Sequence, residues 1–159
     1  MASDSYSEED FRVLTPEAFD FVFHNELKRA VRSQNFLTLV HVEPSLLGPP
    51  GGSASESDEA VHEVARLIGR DVRETDLLSE TVRGRLSLVL LDADLQSSLG
   101  VIDRLMARLT HYSFRKPLSI EMGAACCPTD GADAKTLTHA AESRPLQPRR
   151  SRGTASRAQ

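Results

Sequence analysis

The chain has 159 residues, 40% hydrophobic and 26% charged, which is room for one domain with a proper core. A net charge of −4 and an isoelectric point near 5.7 argue against a general nucleic-acid binder. No apolar run reaches the ~20 residues of a membrane span, and no basic-then-apolar leader opens the sequence, so a cytoplasmic location is expected.

Residues 1–11 are polar and acidic and are expected to be disordered. Thr15-Pro16-Glu17 is a helix start, with Thr15 as cap and Pro16 in the first turn. Phe19, Phe23, Leu27 and Ala30-Val31 then recur every three or four residues, which predicts an amphipathic helix to about Ser33. Phe36 to Glu43 is a near-continuous apolar run, as a central strand requires, and Pro44 is expected to end it. Pro49-Pro50-Gly51-Gly52-Ser53 reads as a mobile loop. Ser57 is expected to cap a second helix, with Asp58 and Glu59 in its first turn and Val61, Val64, Ala65, Ile68 and Val72 as its buried stripe.

Leu77 to Val82 and Leu86 to Leu91 are two apolar-rich runs around Arg83-Gly84, the pattern of a tight hairpin with glycine at positive φ. Asp94 opens a third helix, whose apolar face takes in Leu95, Leu99, Ile102, Leu105, Met106 and Leu109. Leu118 to Cys126 is a further strand in which Gly123 marks a bulge or a close approach. Pro128-Thr129-Asp130-Gly131 is a turn, and Asp133 starts a last helix through Leu137 and Ala140-Ala141. Residues 143–159 hold five arginines and no acid, and are expected to form a disordered, solubilising tail. Cys126 and Cys127 are read as reduced structural thiols, because bridging adjacent strand residues would be strained. The five histidines show no metal-ligand spacing, so no metal site is expected.

The order α-β-α-β-β-α-β-α predicts an α/β fold, an α+β sandwich. A mixed sheet is built from a split βαβ core around a central hairpin, with helices packed on it. This order and spacing, together with Asp58-Glu59-Ala60-Val61, Arg73-Glu74-Thr75-Asp76-Leu77, Ser119-Ile120 and Pro128-Thr129-Asp130-Gly131, resemble the GGDEF family of diguanylate cyclases, which condense two GTP into cyclic di-GMP. The resemblance spans residues 12–142 and implies the nucleotidyl-cyclase-like fold. It departs from the family at the signature turn, where Val82-Arg83-Gly84-Arg85-Leu86 replaces G-G-D/E-E-F. The metal-binding D-x-D is His41-Val42-Glu43, and Pro49 stands where the family's guanine-reading asparagine would be, although Asp58 remains. The phosphate-binding lysine of the last helix is missing after Ala140-Ala141-Glu142. Magnesium wants carboxylate oxygens, and Arg85 would repel it. The expectation is therefore a degenerate domain that is not an enzyme, with no catalytic residues, no cofactor and no magnesium.

One part of the family pattern is intact. The R-x-x-D that binds product at a separate inhibitory site is matched by Arg73 and Asp76, and ungapped counting places the site's further arginine at Arg104. An arginine fork suits the O6 and N7 edge of guanine, a carboxylate suits its N1–H and amino edge, and a second guanidinium can stack on the purine or neutralise phosphate. The expected function is a cyclic di-GMP receptor that relays the signal to a protein partner and forms a ligand-induced homodimer. The alternative is a ligand-free scaffold or dimerisation module.

Overall fold

The computed structural model describes residues 12–47 and 54–146; the expected disorder of residues 1–11 and of the tail beyond 146, and the loop over 49–53, lie outside the described residues. The described residues form four helices and five strands, in the order α1 (Pro16–Ser33), β1 (Leu37–Leu46), α2 (Ala54–Asp71), β2 (Leu77–Val82), β3 (Arg85–Leu91), α3 (Leu95–His111), β4 (Leu118–Cys127), α4 (Ala134–Ser143) and β5 (Pro145–Leu146). The strands form one sheet in the order β2-β3-β1-β4-β5.

The α/β class and the helices on the sheet are as expected, but every strand pairing is antiparallel, where a mixed sheet was predicted. The parallel element is a single bridge, Leu14 to Ser79. The hairpin forms one flank of the sheet, and β1 takes the centre. β1 is apolar on both faces because helices cover both. Val40 and Val42 point into a core with α2 and α3 residues such as Ile68 and Leu105, and Leu37 and Leu39 point into a second core with Phe19, Phe23 and Leu137 of α1 and α4.

Several local expectations need correction. Pro44 does not end β1, which pairs with β4 as far as Leu46, whereas its ladder to β3 stops at Val42. Past Val42 the strand has one neighbour, and a residue without an N–H is tolerated there. Helix α2 begins at Ala54, so Ser57 lies inside it and caps nothing. On α3, Leu95 and Leu99 are each 38% exposed, and Ser98 is buried instead. Gly123 sits in unbroken register with His41 and makes a close approach, not a bulge: a Cβ there would meet the Ala141 carbonyl oxygen at 2.2 Å. Residues 145–146 of the expected tail pair with β4 at Gly123 and Met122 and extend the sheet. The caps at Thr15, Asp94 and Asp133 form as read, each side chain accepting a backbone N–H in the first turn.

Candidate functional site

The β2–β3 turn closes over Arg83-Gly84, with Gly84 at φ +87°, a conformation that favours glycine. Its N–H donates to Glu80 Oε2 at 2.8 Å. Arg83 reaches back to α2 and donates to both carboxylate oxygens of Asp58, at 3.4 and 3.1 Å. Val82 is exposed and Leu86 is fully buried. Arg85 turns toward α4, and its Nε donates to Glu43 Oε1 at 2.6 Å and its Nη1 to Glu142 Oε1 at 3.1 Å.

His41 lies beside this pair, buried, with Nδ1 unpartnered. Burial first, and the neighbouring Arg85 charge second, hold its pKa below the ordinary histidine value. These donors do not fit a magnesium ion, because Glu43 and Glu142 already neutralise a guanidinium. Among the described residues no three His, Cys, Asp or Glu side chains gather as ligands.

The second cluster is at the opposite end of β3, where α2 runs into β2. Arg73 and Asp76 meet directly. Asp76 is almost wholly buried, its side chain 3% exposed. Its Oδ2 accepts the Arg73 backbone N–H at 3.1 Å, and its Oδ1 accepts the Leu91 N–H at 3.1 Å and Arg73 Nη2 at 3.3 Å. Arg73 Nη2 also donates to the Leu91 carbonyl, while the side chain as a whole stays 61% exposed. Asp76 is therefore spent on holding the corner together, and the guanine-accepting role expected of it is largely taken up by backbone N–H groups.

Arg104 does not touch this pair. Its Nε donates to Asp71 Oδ2 at 3.0 Å, two residues before Arg73, and Arg108 Nε meets the other oxygen of Asp71 at 3.3 Å. Arg12 adds a further guanidinium, donating to the carbonyls of Val72 and Arg73. Sequence reading missed Asp71, Arg108 and Arg12. The four-residue spacing of Arg104 and Arg108 on one helix face was the one available signal. A separate groove of about 210 Å³ between α2 and residues 114–118 contains none of the expected site residues.

No protein-family model and no curated protein matches the chain. Solved structures do. A DGC protein from Thermotoga maritima superposes with a TM-score of 0.71 at 14% identity, over 85% of this chain and 97% of that one. The active GGEEF domain of a diguanylate cyclase from Vibrio cholerae gives 0.67 at 11% identity, over 80% and 85%. The GGDEF domain of DgcB from Caulobacter crescentus, in complex with c-di-GMP, gives 0.65 at 10% identity, over 82% and 80%. These matches overturn the expectation that the chain is not an enzyme. Its fold is one on which an active diguanylate cyclase domain is built.

Proposed function

We propose, from the premise that this chain has the fold of GGDEF domains, that it binds cyclic di-GMP at the corner between α2 and α3 and relays that signal to a protein partner. The observation that carries the reading is the presentation of Arg73: more than half exposed, yet anchored from behind by Asp76 and the Leu91 carbonyl. Nη2 is spent on those two acceptors, and the exposed remainder of the anchored guanidinium keeps donors for the O6 or N7 of a guanine.

Arg104 supplies the second cation, and its partner arrangement favours release. Because Asp71 is paired with both Arg104 and Arg108, Arg104 can turn to a phosphate or a purine face while Arg108 keeps the carboxylate neutralised. Arg104 is itself 57% exposed, so its end of the pair is open to solvent while Asp71 is nearly buried. Asp76 acts as a positioning residue, since it sets the Arg73 fork and leaves little of its own carboxylate for ligand.

Calorimetric titration with cyclic di-GMP tests this. Micromolar binding by the wild type is expected, with at least a tenfold loss in Arg73→Ala and a clear weakening in Arg104→Ala. The burial of Asp76 favours one other reading, a scaffold whose corner is purely structural. Absence of heat with the folded wild type would decide for that scaffold.

A further inference from the structure

The three residues at positions 12–14, just before α1, are bound to both ends of the loop that joins α2 to β2. At the β2 end the Leu14 N–H donates to the Leu78 carbonyl at 2.8 Å, and Ser79 Oγ donates to the Leu14 carbonyl at 2.7 Å. Ser79 is fully buried, so Leu14 spares its hydroxyl the cost of an unmade hydrogen bond. Val13 packs on the core shared with α2 and α3, and Leu14 on the core shared with α1 and α4. At the α2 end Arg12 takes over. Its stem crosses the helix at Gly69, where an added Cβ would lie 3.5 Å from Arg12 Cβ. Its Nη2 then donates to the carbonyls of Val72 at 3.2 Å and Arg73 at 2.9 Å. A cation beside carbonyls at a helix C-terminus is favoured by the helix dipole.

The peptide of Arg73 is where this matters. Its N–H donates to Asp76 Oδ2 at 3.1 Å, and its carbonyl accepts from the Asp76 N–H at 3.0 Å as well as from Arg12. The two contacts with Asp76 lie within the loop and move with it. The bond from Arg12 comes from outside the loop and fixes the Arg73 peptide relative to the segment before α1. We propose that Arg12 is a positioning residue for the corner and that residues 12–14 act as a strap across the loop, coupling the seating of this segment to the pose of Arg73, with a ligand readout that rests on cyclic di-GMP binding there as proposed above. Such coupling is reciprocal: displacing the strap weakens the ligand, and bound ligand holds the strap in place.

Calorimetric titration with cyclic di-GMP, combined with amide hydrogen exchange followed by NMR, tests the proposal. Arg12→Ala should weaken binding about fivefold or more, and Arg12→Lys, which keeps a donor for the carbonyls, should recover most of that loss. Asp133→Ala removes the cap of α4, lowers stability as a whole and should leave affinity unchanged. In the ligand-free protein Arg12→Ala should speed exchange at the Asp76 and Leu91 amides more than at Val40 in the central strand. Unchanged affinity in a folded Arg12→Ala would overturn the proposal, as would a lysine variant no better than alanine or an equal loss in Asp133→Ala. A wild type that binds no cyclic di-GMP ends the receptor reading, and exchange alone then decides the strap. Faster exchange confined to the corner upholds it, and no change or a uniform change defeats it. Should Arg12→Ala fail to fold, Ser79→Ala, which frees the Leu14 carbonyl, takes its place in both measurements with the same expectations.

Discussion

His41 stands on the central strand among carboxylates, yet its pKa is held below the ordinary histidine value, first by burial and second by the Arg85 charge, which outweigh Glu142 and Glu43. The consequence for stability has a definite sign. In the unfolded chain the imidazole titrates near its ordinary value of about 6.5, and in the fold it titrates lower. Above that value neither state is protonated and nothing is lost. As pH falls below it, the unfolded state gains a proton that the folded state refuses, and stability declines until the folded pKa is passed. Urea midpoints should therefore fall between pH 7.5 and pH 5.5, and His41→Leu should flatten that decline. An unchanged slope in the variant would place the acid sensitivity on the carboxylates alone. At the same scale Asp76 shows how one carboxylate can be committed twice: it caps Arg73 and receives the Leu91 N–H, and so loses most of its freedom as a ligand group.

At the scale of elements, α4 is positioned by a missing side chain. The Ala141 carbonyl approaches Gly123 so closely that no methyl group fits between α4 and β4. Gly123→Ala must push α4 away from the strand, and with it Glu142 away from Arg85. A loss of about 1–3 kcal/mol in chemical denaturation is expected, as for overpacked cores. An alanine variant as stable as the wild type would show that α4 shifts freely on the sheet. The hairpin owes its closure to Gly84 at positive φ and to Glu80, which satisfies the turn's N–H from within the irregular stretch of β2 between Ser79 and Val82. Its outer face is tied to α2 by Arg83 and Asp58. That pair is exposed and contributes little to stability.

Across the whole molecule, β3 links the two charged clusters. Arg85 begins the strand, paired with Glu43 and Glu142, and Leu91 ends it in the arginine corner, about 20 Å away at the rise of an extended chain. Among the described residues no helix is long and apolar enough to cross a membrane. If the corner binds cyclic di-GMP as proposed, the ligand-induced homodimer expected from the sequence has a direct readout. Light scattering after size exclusion should show the mass doubling when cyclic di-GMP is added, and Arg104→Ala should prevent it. A wild type that binds the ligand yet keeps its mass would limit the corner to one chain.

What could be read from the sequence is what neighbours along the chain decide. The α1 stripe, the caps at Thr15, Asp94 and Asp133, the hairpin at Arg83-Gly84 and the meeting of Arg73 with Asp76 each depend on residues within a few positions of one another. Periodicity, capping and the φ preference of glycine act at that range. Partners brought together across 15 to 60 residues belonged to the tertiary structure. Leu91 consumes Asp76, Asp71 draws two arginines from α3, and Glu43 and Glu142 close on Arg85. Pro44 is tolerated in β1 only because β3 ends its ladder at Val42. Strand order and helix seating choose those partners, and no local pattern carries that information.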